Sequence, residues 1–131
     1  MKLVIDCNVF VSAALGSKVC LGVLEKAFLH NRVLYSDEIF DEIIKTFTKP
    51  KLLKVKKRGV ALLETLADLG HLVESIDHKT TLPDKDDRVY LNAALTAGAS
   101  MIVTGNTKDF PQDLCGEVRI LTPREFLEMP T

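Results

Sequence analysis

Leu3-Val4-Ile5-Asp6 is the stretch on which the fold of this chain turns. A continuous apolar run with β-branched members fits a strand buried on both faces, as in the centre of a parallel sheet. The run ends on an acid. A second buried run, Met101-Ile102-Val103-Thr104, is followed by Asn106 and Asp109. In an open α/β sheet the carboxyl ends of the strands share one edge, and ligands bind in the crevice outside it. Acidic residues far apart in sequence can therefore meet there. A cluster of carboxylates without cationic partners is costly unless a divalent cation joins it, and hard oxygen ligands suit Mg²⁺ or Mn²⁺.

Outward from the first strand, small residues lead to Gly16, and Ser17 can cap a helix in which Cys20, Leu21, Leu24, Ala27 and Phe28 recur at helical spacing. Residues Arg32 to Tyr35 read as a second strand. Ser36 caps the next helix, with an apolar face of Ile39, Phe40, Ile43, Ile44 and Phe47, Glu42 on its flank, and Pro50 limiting it. A further helix spans Val60 to Leu69 and ends near Gly70; Leu72–Val73 is a short strand. After Pro83 an aspartate-rich helix start leads through Leu91, Ala94 and Leu95 to a stop at Gly98. Val118 to Leu121 is the last strand, and Pro123 opens a short final helix. This alternation predicts right-handed crossovers and a mostly parallel sheet covered on both faces.

The 131 residues match a single ordinary domain, and the 47% hydrophobic and 27% charged composition is that of a soluble globular chain. A net charge of −1 gives no global argument for nucleic-acid binding, so such a role must rest on local patches. Cys7, Cys20 and Cys115 are too few and scattered for a disulfide framework, and no CxxC pair suggests zinc. Buried reduced thiols, no signal-type leader and no long apolar stretch lead to the expectation of a cytoplasmic protein with no membrane association. The absence of GxGxxG and P-loop motifs argues against a dinucleotide enzyme or NTPase.

Each acid has a plain local reading beside the functional one. Asp6 with Asn8 suits a turn after a strand, Glu42 an exposed helical position, and Asp84, Asp86 and Asp87 a helix amino terminus. Asn106 and Asp109 would pass as loop residues. Their convergence on one sheet edge favours the joint reading. Lys49, Lys51, Lys54, Lys56, Lys57 and Arg58 form a basic stretch that reads as a solvated face or as a grip for phosphates. His30, His71 and His78 fall in segments with no link to the acidic edge.

Four segments together carry a family resemblance that spans essentially the whole chain. They are Val4-Ile5-Asp6-Cys7-Asn8-Val9-Phe10-Val11-Ser12-Ala13, Ser36-Asp37-Glu38-Ile39-Phe40-Asp41-Glu42, Leu82-Pro83-Asp84-Lys85-Asp86-Asp87-Arg88, and Ala97-Gly98-Ala99 with Ile102-Val103-Thr104-Gly105-Asn106. In this order and spacing the sequence resembles a PIN domain, in the branch of toxins of bacterial and archaeal toxin–antitoxin pairs. The resemblance implies a three-layer α/β/α Rossmann-like fold and a metal-dependent ribonuclease. It assigns Asp6, Glu42 and Asp87 as catalytic metal ligands, with Asp84 and Asp109 as neighbours and Asn8, Ser12 and Asn106 as supporting groups. Asp87 is favoured among the three aspartates because it is in register with the family motif.

Many PIN domains carry aspartate where this chain has Asn106, so a fourth carboxylate must come from Asp109 or be missing. The expected cofactor is Mg²⁺ or Mn²⁺, acting on water that attacks an RNA phosphodiester. RNA would be gripped by Lys51, Lys54, Lys56, Lys57 and Arg58, with Arg88 and Lys108 nearer the acids. The resemblance also implies an antitoxin partner and a homodimer; Val19 and Leu52–Leu53 read either as apolar surface for such an interface or equally as core residues. A catalytically inactive RNA- or protein-binding module and a phosphatase or flap-type DNA nuclease are the competing readings.

Overall fold

The computed structural model describes all 131 residues. Strand β1 (Lys2–Ile5) lies at the centre of a five-stranded sheet of order β3-β2-β1-β4-β5, formed with β2 (Arg32–Tyr35), β3 (His71–Leu72), β4 (Met101–Val103) and β5 (Arg119–Leu121). Every pairing is parallel. The helices are α1 (Cys7–Ala14), α2 (Lys18–His30), α3 (Asp37–Phe47), α4 (Lys56–Leu69), α5 (Arg88–Ala97) and α6 (Pro123–Glu128). They flank the sheet, as the α/β reading requires: α5 packs on β1, β2 and β4, whereas α2 packs on β2 with α1 and α6 beside it. Leu3, Val4, Ile5, Ile102 and Val103 are almost wholly buried, as expected of central strands covered on both faces.

The chain lays down β1, β2 and β3 in one direction and then crosses back to place β4 and β5 on the other side of β1. The crevice of such a sheet opens where the order reverses, here between β1 and β4. Their register pairs Ile5 with Val103, and the ladder continues one step through Asp6 N–H to the Val103 carbonyl at 3.0 Å. Asp6 and Thr104 therefore emerge side by side.

The expected stops and starts are visible as hydrogen bonds. Ser17 Oγ accepts from Cys20 N–H at 3.2 Å, and Ser36 Oγ accepts from Ile39 N–H at 3.3 Å. Gly98 ends α5 in the left-handed region at φ 67°, where a side chain would be strained. Pro123 opens α6 behind a Thr122–Glu125 capping box.

Several boundaries differ from expectation. The small-residue stretch after β1 is itself a helix, because Val9, Phe10, Ala13 and Ala14 recur on one face and are buried there. Pro50 opens a short 3₁₀ segment, Pro50–Val55, which buries Leu52. Helix α4 starts at Lys56, not at Val60, so Lys56, Lys57 and Arg58 form its first turn. β3 starts one residue earlier than expected, and the aspartates before α5 occupy a 3₁₀ turn, Lys85–Asp87. Leu21 and Ile44, placed on buried faces by periodicity, are 44% and 40% exposed, and Val23 takes the place of Leu21 in the core.

Candidate active site

Asp6 sits at the helix-cap position of α1 with extended backbone, yet its carboxylate makes no cap hydrogen bond. Local capping therefore does not account for it. The side chain is 5% exposed, and its Oδ2 accepts from Thr104 Oγ1 at 2.8 Å and from Asn8 Nδ2 at 3.2 Å. Asn8 in turn accepts from Gly105 N–H at 2.9 Å, and Thr104 accepts from Asn106 N–H at 3.0 Å. These bonds tie the end of β1 to the loop after β4. Ser12 lies in α1 outside this network, and its carbonyl accepts from Ser17 N–H.

Asp87 occupies the equivalent cap position of α5, again without a cap hydrogen bond. The side chain is half-buried, and its Oδ2 is fully enclosed without a hydrogen-bond partner. Burial, and then the charges of Asp6, Asp109, Asp84 and Glu42, push its pKa from 3.8 up to about 7. Asp84 behaves differently: it is exposed and accepts from Asp86 N–H at 2.9 Å, which is the local capping role. Asp86 is exposed as well. Of the three aspartates, Asp87 is the one whose carboxylate is enclosed and unpartnered.

Glu42, on α3, is half-buried. Burial raises its pKa, the Tyr90 hydroxyl opposes that rise, and Asp6, Asp86 and Asp84 add to it. Burial raises Asp6 too, against hydrogen bonds from Thr104 and the Cys7 backbone, with Asp109 adding to the rise. Asp109 accepts from Asn106 Nδ2 at 3.0 Å. The amide thus serves a carboxylate instead of replacing one, and the charge that acts on Asp6 and Asp87 from this loop is that of Asp109.

The carboxylates are within electrostatic reach of one another, although no three of them stand close enough to ligate one ion without adjustment. Their chemistry nevertheless fits a divalent cation. The partnerless Asp87 oxygen and the mutual repulsion are what a hard, oxygen-seeking ion would relieve.

A groove of about 620 Å³ begins at Glu42 and Asp86 and is lined by Lys45, Lys49 and Lys85 among others. Lys45 and Lys85 escaped the sequence reading because isolated lysines on two different elements form no run. Of the anticipated basic residues, Lys54, Lys56 and Lys57 line a separate hollow with Leu53 and Val60, and Lys51 is exposed. Arg58 is committed to structure, donating to the Ala14 carbonyl at 3.1 Å. Arg88 is half-buried at the start of α5 with an enclosed, unpartnered Nε, and Lys108 is exposed in the loop that holds Asp109. Thr104 and Tyr90, both fully buried at this edge, also escaped notice. Thr104 was read as the last residue of a strand, and Tyr90 gave no signal beyond an apolar-face position.

A family model described as PIN domain matches residues 2–108. The chain belongs to the PIN domain family. Among solved structures, this PIN domain is similar to VapBC2 from Rickettsia felis bound to a DNA fragment from their promoter. The TM-score is 0.65 at 14% identity, covering 93% of this chain and 98% of that one. It is also similar to VapBC-1 from nontypeable Haemophilus influenzae, with a TM-score of 0.64 at 15% identity over 95% of this chain and 99% of that one. At these identities the likeness is one of fold. No curated protein matches the chain.

Proposed function

We propose that the chain is a single PIN nuclease domain that hydrolyses RNA phosphodiester bonds with Mg²⁺ or Mn²⁺, and that it is the toxin of a toxin–antitoxin pair. The observation that carries the catalytic part is the Asp6 carboxylate, buried at the end of β1 and bonded to Thr104 after β4, together with the enclosed, partnerless Asp87 oxygen at the start of α5. PIN domains are in general nucleases that use divalent ions, which agrees with this donor set. Asp6, Glu42 and Asp87, with Asp109 and Asp84 beside them, would hold the ion. When bound, it supplies positive charge that acidifies water and offsets charge developing on the phosphate.

The protein's own groups prepare that site. Thr104 and Asn8 both fix the same Asp6 oxygen and so set the orientation of the carboxylate. Asn106 holds Asp109 on the same side. Lys45, Lys49 and Lys85 flank the groove that leads from Glu42, and Lys108 projects from the Asp109 loop, so a single-stranded backbone has cations on both approaches.

The partner reading is supported by the VapBC neighbours, which are toxin–antitoxin complexes. Apolar surface between α3 and α4, lined by Phe40, Ile44, Val60 and Ala67, is available for a protein partner to bury. We extend the reading to a homodimer. No helix is long and apolar enough to cross a membrane.

The test is cleavage of single-stranded RNA, DNA and a phosphomonoester in Mn²⁺ or Mg²⁺, with Asp6→Asn and Asp87→Asn alongside. RNA cleavage that falls more than about 100-fold in both variants is the expected result, since loss even of a supporting group costs 10–100-fold in comparable sites. Undiminished cleavage by Asp6→Asn would remove the assignment. A wild type that neither binds metal nor cuts RNA would favour the binding-module reading.

A further inference from the structure

Helix α4 begins against the usual electrostatics of a helix. Its first turn holds Lys56, Lys57 and Arg58 and no acid, and Val55 at the cap position gives the free backbone N–H groups no side-chain acceptor. Cations are favoured at a helix carboxyl end, so this terminus gathers positive charge that its own turn does not offset. Arg58 is turned back to the Ala14 carbonyl, whereas Lys56 and Lys57 line an open hollow with Lys54, Leu53 and Val60. Lys56 and Val60 also border an apolar groove of about 320 Å³ between α3 and α4, floored by Phe40, Phe47, Leu63 and Ala67. Ile44 and Val60 are exposed along it. Contiguous exposed apolar surface rimmed by charge marks an interaction site.

The charges of that rim are sorted by end. The Phe47 ring lies against Gly59 at one end and Phe40 and Ala67 share the other, so α3 and α4 run antiparallel. Asp37 and Asp41 continue the exposed stripe of Ile44 on α3, and Glu64 and Asp68 continue that of Val60 on α4. The antiparallel arrangement brings these acids to one end of the groove and leaves Lys54, Lys56 and Lys57 at the other. A uniformly acidic partner would be attracted at one end and repelled at the other, and so would an anionic membrane. A second copy turned by a two-fold axis across the groove meets each end with the opposite charge.

We infer that the chain pairs with a second copy of itself through the α3–α4 face, which deepens the homodimer reading and rests on it. Ile44 and Val60 of the two copies bury one another, and the acidic end of each groove lies over the lysines that open α4 in the other copy. Acids thereby reach the uncapped N–H groups of α4, where the macrodipole favours them. The groove that begins at Glu42 lies on the other flank of α3, so the pairing leaves both acidic sites open.

The experiment is molar mass by size-exclusion chromatography with light scattering, over a dilution series of the intact chain, with melting curves recorded in parallel. Wild type should show twice the mass of the chain. Lys56→Glu with Lys57→Glu, and separately Asp37→Lys with Asp41→Lys, set like charges against each other at both ends of the pair. Each should raise the dissociation constant about 100-fold or more. An equimolar mixture of the two variants should recover the dimer mass, because every reversed end then meets an opposite one; a mixture that stays monomeric overturns the inference. If either charge variant fails to melt cooperatively, Val60→Asp at its exposed position takes its place: it should be monomeric, and a dimer that survives it overturns the inference. A dimeric wild type whose charge variants remain dimeric overturns this inference alone and leaves the homodimer reading standing, whereas a monomeric wild type overturns both.

Discussion

Removing divalent ions should make this protein gain stability on mild acidification, and Asp87 should be responsible for much of the gain. Burial and four surrounding carboxylates place its folded pKa at about 7, against 3.8 without them. The folded chain therefore binds this proton more tightly than the unfolded chain. Its penalty is fully present above pH 7 and is relieved as pH falls from about 7 towards 4. Taken whole, the shift corresponds to roughly 4 kcal/mol. Asp87 is only partly buried, and solvent screening reduces that to about 1–2 kcal/mol. For a chain of 131 residues the unfolding entropy is about 0.28 kcal/mol/K, so the effect is about 4–7 °C in melting temperature. Asp6 and Glu42 are raised as well and contribute with the same sign. The assay is thermal unfolding in EDTA between pH 8 and 4.5, for wild type and Asp87→Asn. The wild type should melt higher at pH 4.5, whereas the variant should melt higher than wild type at pH 8 and lose most of the pH slope. Mn²⁺ at pH 8 should raise the wild type and leave the variant nearly unmoved. A wild-type melting temperature that is flat or falls on acidification, or a variant no more stable than wild type at pH 8, would refute the argument from carboxylate repulsion.

Two further outcomes follow from particular contacts. Thr104→Val keeps the volume but removes the donor to Asp6 and the acceptor for Asn106 N–H, so it should cost about 1–3 kcal/mol in urea denaturation and weaken Mn²⁺ binding; a loss below about 0.5 kcal/mol would show that these bonds contribute little net stability. In Gly59→Ala the new Cβ would lie 2.4 Å from the Phe47 ring where α4 packs on α3. The overpacking of about 1–3 kcal/mol outweighs the roughly 1 kcal/mol gain in helix propensity, and a variant more stable than wild type would argue against that close approach.

The parts that could be read from sequence are those in which one local rule decides. Leu3 to Ile5 and Met101 to Val103 are short apolar runs that only a doubly covered strand accommodates, and Ser17, Ser36 and Gly98 punctuate helices by their own chemistry. Helix α1 was lost because Val9, Phe10, Ala13 and Ala14 lie among small residues near Gly16, and composition there competes with a brief helical period. Lys56 to Arg58 were lost for the opposite reason. A charge run carries no apolar period to mark a helix start, although here it opens a helix whose buried face begins at Gly59.

The candidate site divides along the same line. Asp6 and Asp87 could be placed at strand and helix ends, but sequence gives no means of knowing whether a carboxylate caps its own helix or is free of it. The structure separates the cases: Asp84 caps the turn before α5, whereas Asp6 and Asp87 occupy cap positions and cap nothing. Neutral groups such as Thr104 and Tyr90 carry no sequence signal at all, since their contribution is a hydrogen bond to a residue 98 or 83 positions away in the chain. Asn106 shows why a motif letter is a weaker unit than a charge in space. The amide in the family's aspartate position donates to Asp109, and the loop still presents a carboxylate to Asp6 and Asp87. An Asp109→Asn variant would test that substitution of position for letter more directly than restoring aspartate at residue 106, because it alone removes the charge acting on both acids.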